Sequence, residues 1–114
     1  MNVKMRWVDN IKVLELAGSI DWSNESSIRQ AIIEATEEYP AQVVVNMQGV
    51  NKLDSCGLAA LIVGLKRARE NGGDLRLCDV QSPVRMILEL TRFDKLFEIF
   101  NSEEDAVLAA AKQY

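Results

Sequence analysis

Val43-Val44-Val45 is an unbroken β-branched run inside Val43–Met47, and it narrows the choice of fold more than any other stretch. β-Branched side chains suit a pleated sheet surface. A run that is apolar at consecutive positions, not alternate ones, belongs to a strand covered on both faces. Leu58, Leu61, Ile62 and Leu65 then fall at i, i+3, i+4 and i+7, the spacing of one helix face. A buried strand that feeds a helix predicts a layered α/β architecture. The joint between them is Leu53-Asp54-Ser55-Cys56-Gly57-Leu58. Ser55 sits where the exit from the strand becomes a helix N-terminus. The first N–H groups of a helix lack partners and carry partial positive charge. A hydroxyl there can cap the helix, or carry a phosphate that the same groups favour.

The rest of the chain repeats this alternation. Val3, Met5 and Trp7 alternate with Lys4, Arg6 and Val8, an edge strand with one face inward. Asp9-Asn10 is a tight turn into a second strand, Ile11 to Leu16, which Gly18 ends. Asp21 or Ser23 caps a first helix whose inner face is Ile28, Ala31, Ile32 and Ala35, and Tyr39-Pro40 stops it. Gln48 to Asp54 reads as a short polar loop. The second helix runs from about Gly57 to Asn71, with Gly72-Gly73 after it and Lys66-Arg67-Ala68-Arg69 complementing its dipole. Leu75 to Asp79 is a strand. Ser82-Pro83 opens a third helix with Val84, Ile87, Leu88 and Thr91 inside. Phe97 to Phe100 is a short last strand. Ser102-Glu103-Glu104-Asp105 resembles a capping box, and Val107, Ala110, Ala111 and Tyr114 face inward on a terminal helix. The order β-β-α-β-α-β-α-β-α predicts one domain over residues 1–114. Its sheet is mixed, with four or five strands, an antiparallel hairpin at the start and helices mainly on one face.

Composition removes several function classes. The chain carries 13 Lys and Arg against 17 Asp and Glu, a net charge of −4, which disfavours nucleic-acid binding by phosphate neutralisation. No apolar run approaches the ~20 residues of a membrane span. Met1 to Arg6 alternates like a strand and does not read as a signal peptide, so cytoplasmic residence is expected. There is no histidine, hence no Ser-His-Asp or Cys-His nucleophile and no His-ligated metal. Ser55 lacks the glycine-flanked setting of a hydrolase elbow, and no glycine-rich nucleotide loop is present. Its neighbour Asp54 is an ordinary carboxylate and a weak base. The chain is therefore read as a substrate and binding partner without cofactor or metal, not as an enzyme. Cys56 and Cys78 form no Cys-x-x-Cys pair and read as small buried or half-buried thiols. Trp22 reads as partly packed rather than as a partner anchor, although tryptophan is enriched at binding hot spots. Asp54 reads as a helix N-terminal charge with a second role open, that of placing Ser55 for a kinase. Gly57 either lets a partner's backbone approach or eases the turn.

Asp54-Ser55-Cys56-Gly57-Leu58 resembles the Asp-Ser-Ser/Thr-Gly-Leu signature of the STAS domain, found in bacterial anti-sigma factor antagonists. Gly18-Ser19-Ile20-Asp21, Gly72-Gly73-Asp74-Leu75-Arg76-Leu77, Ser82-Pro83-Val84-Arg85 and Phe93-Asp94-Lys95-Leu96-Phe97 resemble further segments of that family in order. The resemblance implies that Ser55 is a phosphorylation site. Cys56 stands where the family usually has Ser or Thr, leaving Ser55 alone. Asp21 is implied to lie beside the phosphoacceptor and help orient its hydroxyl. The residues expected to bind a partner or to support the phosphosite are Asp21, Trp22, Asp54, Cys56, Gly57 and Leu58. The implied function is an anti-sigma factor antagonist. Unphosphorylated, it binds an anti-sigma factor that is also a serine kinase, and so frees the sigma factor. Phosphorylation of Ser55 releases the complex, and a serine phosphatase resets it. Two other roles fit the same resemblance: an accessory subunit of an ABC-type lipid or anion transporter, and a scaffold subunit of a stress-signalling complex.

Overall fold

The computed structural model describes residues 2–112. Its elements are β1 (Asn2–Val8), β2 (Ile11–Ile20), α1 (Glu25–Ala35), β3 (Gln42–Leu53), α2 (Ser55–Glu70), β4 (Asp74–Cys78), α3 (Ser82–Leu90), a 3-10 turn (Phe93–Lys95), β5 (Ile99–Phe100) and α4 (Glu103–Ala111). The five strands lie in sequence order in one sheet. β1 pairs antiparallel with β2, and the remaining pairs are parallel. The order and the mixed sheet are those expected from the alternation of strands and helices.

Both faces of the sheet are covered, as the valine run requires. Val43 and Val45 pack with Ile28 and Ile32 of α1, Leu61 and Leu65 of α2 and Leu88 of α3. Val44 faces the other way, with Ile11, Val13 and Cys78 beneath Ala106 and Ala110 of α4. Three helices therefore share one face and α4 alone closes the other. Within α4, Ala106 and Ala110 are buried, Val107 is half-buried and Ala111 is exposed, so the inner stripe sits one position from the expected one. Tyr114, placed on that stripe from sequence, lies outside the described residues.

Several boundaries differ from expectation. β3 does not stop at Met47. It continues to Leu53, burying Val50 and Leu53, because β2 continues alongside it to Ile20. Gly18 does not end β2. It takes φ 100° at a register shift and lets the pair run on past it. Helix α1 ends at Ala35, before Tyr39-Pro40. The Thr36 hydroxyl donates to the Ile32 and Ile33 carbonyls, at 2.9 and 3.1 Å, and Asn71 Nδ2 donates to the Thr36 carbonyl at 2.6 Å. Side chains thus satisfy the helix end before proline is reached. In α3, Thr91 is the exposed C-cap and not part of the inner stripe.

One polar network ties the edge strand to the last helix. Arg6 of β1 donates to Glu103 at the start of α4 and to Glu15 of β2. Asn46 of β3 also donates to Glu103, at 3.0 Å. Burial pushes the Glu103 carboxyl up, but the bonds from Arg6 and Asn46 outweigh it and hold the group below its ordinary value of 4.5. A carboxyl depressed by folding adds stability above its unfolded pKa, and that stability is lost as pH falls through the folded value. Urea midpoints should therefore drop as pH is lowered below 4.5, and Glu103→Gln should make that drop shallower. Equal slopes in the two proteins would show that the network contributes nothing.

Helix α2 lies close against its neighbours because Gly64 has no side chain. A Cβ there would lie 2.8 Å from Leu75 Cδ1 and closer still to Ile32 Cγ2. Alanine gains up to about 1 kcal/mol of helix propensity over glycine. Overpacking a filled core typically costs about 1–3 kcal/mol. The second effect should win, so Gly64→Ala should lower the urea midpoint; an unchanged or higher midpoint would mean that α2 can shift at no cost.

Candidate functional site

The connection from β3 to α2 is a single residue. Asp54 is extended, at φ −97° and ψ −177°. Its N–H donates to the Ile20 carbonyl at 3.1 Å, continuing the sheet, while its carbonyl accepts from Leu58 N–H at 2.9 Å, starting the helix. Asp54 is thus the N-cap, and its side chain completes the cap. Oδ1 accepts from Gly57 N–H at 2.9 Å, and Oδ2 accepts from Trp22 N–H at 3.1 Å. The capping role considered for Ser55 belongs to the residue before it.

Ser55 is therefore the first residue of α2 and is exposed. Its hydroxyl has no hydrogen-bond partner among the described residues. Cys56 beside it is exposed too, where a buried or half-buried thiol was expected. Cys78 is buried, and desolvation, with Asp79 next in effect, pushes its thiol well above the ordinary range. Such a thiol is unreactive.

Gly57 and Leu58 turn inward. Leu58 belongs to the core, and a Cβ on Gly57 would lie 2.8 Å from Leu53 Cδ1 and 2.9 Å from the Ile20 carbonyl. Neither presents a side chain to a partner. The glycine is there for the close approach of α2 to the strand ends, a reason that neither sequence-based explanation included.

The facing wall is the turn from β2 into α1. Asp21 Oδ1 accepts from the Ser23 N–H at 2.9 Å and from the Ser23 hydroxyl. The Ser23 hydroxyl, then its N–H, hold the Asp21 carboxyl below its ordinary range. Asn24 Oδ1 accepts from Asp21 N–H at 3.0 Å, and Asn24 Nδ2 donates to the Ser19 carbonyl at 2.6 Å. Asp21 and Ser23 thus order the turn, and Asn24, not either of them, is the N-cap of α1. Asp21 makes no hydrogen bond to Ser55. It shares with Asp54 a groove of about 230 Å³ that continues to Pro83 and Ile87 of α3. Trp22, expected to be partly packed, is 78% exposed. What holds it is its backbone N–H on Asp54, which residue type alone does not reveal.

A helix start with a free hydroxyl, a groove lined by Asp21, Asp54 and Lys52, and an exposed indole offers a modifiable group and a binding surface. No group of three potential metal ligands occurs among the described residues, and no helix among them is long and apolar enough to cross a membrane. A sequence model of the STAS domain matches residues 2–106. The chain belongs to the STAS domain family. The anti-sigma F factor antagonist of Paenibacillus polymyxa is 23% identical over 108 residues, spanning 94% of this chain and 92% of the relative. The solved anti-sigma factor antagonist from Mycobacterium paratuberculosis superposes with TM-score 0.86 at 23% identity, over 97% of this chain and 94% of that one. Phosphorylated SpoIIAA, a Bacillus cell fate determinant, superposes with TM-score 0.71 at 18% identity, over 93% and 96% of the two chains. At these identities the two structures establish a shared STAS fold, in agreement with the resemblance carried by Asp54 to Leu58.

The division of labour between Asp54 and Ser55 can be measured. Asp54→Ala removes the cap and should cost about 0.5–2 kcal/mol in urea unfolding. Ser55→Ala removes an unbonded exposed hydroxyl and should stay within about 0.5 kcal/mol of the parent. The opposite ranking would move the cap to Ser55.

Proposed function

We propose that this STAS protein is an anti-sigma factor antagonist that acts by partner switching. Unphosphorylated, it binds an anti-sigma factor with serine kinase activity and so frees a sigma factor. The kinase transfers the γ-phosphoryl group of ATP to Ser55, the complex separates, and a serine phosphatase restores the hydroxyl. The observation that carries this reading is the state of Ser55: exposed, unbonded and at the first position of α2 within the family signature. A kinase substrate needs a nucleophilic oxygen that is accessible and not already engaged, and Asp54 leaves it so by supplying the cap. Relatives named as anti-sigma factor antagonists, and a solved relative in a phosphorylated form, support the same reading.

The test uses the purified chain, the anti-sigma factor kinases of its source organism, and ATP. Ser55→Ala should abolish phosphorylation yet keep affinity within roughly tenfold, since one modest hydrogen bond is worth about 1 kcal/mol. Ser55→Asp should weaken binding further, because an unpaired charge in an interface costs about 2–5 kcal/mol. Mass spectrometry that finds phosphate on Ser23, Ser82 or Thr91 with Ser55 unmodified would refute the assignment.

A further inference from the structure

Trp22 stands apart from the other exposed apolar side chains in one respect: its backbone N–H is bonded to the residue that caps the helix beginning with Ser55. A lone tryptophan on a surface needs no explanation in itself. Here the indole is 78% exposed, while the turn beneath it is fixed at every residue. Asp21 N–H and Ser23 N–H have side-chain partners within the turn, and Asn24 Nδ2 reaches back to the Ser19 carbonyl of β2. Trp22 N–H reaches across to Asp54 Oδ2 at 3.1 Å. The other oxygen of that carboxylate caps α2 through Gly57 N–H. One side chain therefore joins the indole-bearing turn to the helix that begins with Ser55. The groove beside them, from Asp21 and Asp54 to Pro83 and Ile87, extends the same surface.

We infer that Trp22 is the anchor by which this surface grips its kinase, and that Asp54 is the positioning residue that presents it; this rests on the functional reading above. Exposed indoles on fixed backbones suit such a role. Tryptophan is enriched among interface residues that dominate affinity. Ordering the backbone before binding lowers the entropy lost on association. The chemistry required of the partner follows: an apolar slot for the ring, with a carbonyl or carboxylate at its end for the indole N–H. Asp54 acts through geometry. It sets where the anchor stands relative to Ser55, so that a kinase seated on Trp22 meets the hydroxyl.

The experiment uses the full chain with Trp7→Phe, which leaves Trp22 as the sole tryptophan, and the purified ADP-bound anti-sigma factor kinases of the source organism. On binding, Trp22 emission should shift to the blue and become protected from acrylamide. Trp22→Ala should lose about 30-fold or more in affinity, with an unchanged melting temperature because the indole is mostly in solvent. Asp54→Asn tests the positioning role, since asparagine caps a helix about as well as aspartate. It has one acceptor oxygen where the carboxylate has two, so Trp22 anisotropy in the free chain should fall and affinity should weaken. In a Trp22→Ala background the Asp54→Asn substitution should then cost little more, because the two act as one unit. If wild type binds and Trp22→Ala binds within about threefold of it, the anchor is overturned while the functional reading stands. Full additivity of the two losses, or unchanged anisotropy, overturns the role of Asp54. A wild-type chain that binds none of the kinases overturns the functional reading, and this assignment with it.

Discussion

Helix α2 has no side chain at Gly57 or Gly64, and the molecule depends on those two gaps. They lie seven residues apart on one face of the helix. Gly57 rests on Ile20 and Leu53 at the ends of β2 and β3, and Gly64 rests on Ile32 and Leu75. With the helix this close, no loop fits between it and β3. Asp54 must be the last sheet-bonded residue and the helix cap at once, and the hydrogen bonds show it serving both roles. The exposure of Ser55 follows, because the residue after a cap is the first on the helix and the gap face points inward. At its far end α2 is held by Arg69, which donates to Asp74 Oδ1 at 3.1 Å and to the Leu96 carbonyl at 2.8 Å. A helix fixed at both ends keeps the site in place as the surrounding surface varies.

Much of this was legible in sequence, and the misses share a cause. The valine run and the 3.6-residue stripe of Leu58, Leu61, Ile62 and Leu65 identified a covered strand and its helix, because burial leaves periodic traces. β3 was read short because its second half leaves none. Val50 and Leu53 are three apart because β3 takes an extra residue at each of two register shifts against β2, so the period of two is lost. The capping role that sequence leaves open for Ser55 falls one residue earlier, because Asp and Ser are both good caps. The bonds from Leu58 N–H to the Asp54 carbonyl and from Gly57 N–H to Asp54 Oδ1 decide between them. Trp22 reads from sequence as partly packed because tryptophan is usually well buried. The backbone bond that holds its turn goes to a residue 32 positions away and leaves no trace in the local sequence. Arg76 was missed in the opposite sense. It is buried at 1% exposure, bonded to Gln42 and flanked by Asp74 and Glu98, where residue type alone would put a charge in solvent.

The cap also decides what a phosphate on Ser55 can do. A helix N-terminus favours an anion by about 0.3–1 kcal/mol, approaching ~2 when partly buried. Asp54 already occupies that place, with one oxygen on the Gly57 N–H. A phosphate of roughly −1.5 to −2 charges on the next residue therefore finds the N-terminus partly neutralised, with a like charge beside it. Along the same groove Asp21, held below its ordinary range by Ser23, adds a second carboxylate and Lys52 a positive charge. Attraction and repulsion within the free chain are then similar in size. Their difference is small against the ~5–15 kcal/mol that holds a domain together. The fold has little reason to rearrange, and the phosphate little reason to leave water. A docked partner changes that balance. On the proposed function, its surface would strip the phosphate of water and offer a fit made for a neutral hydroxyl, so the whole cost would fall on the interface. On the proposed function, the aspartate that leaves the Ser55 hydroxyl unbonded would also keep a phosphate there from being absorbed by the helix, with its charge facing the partner.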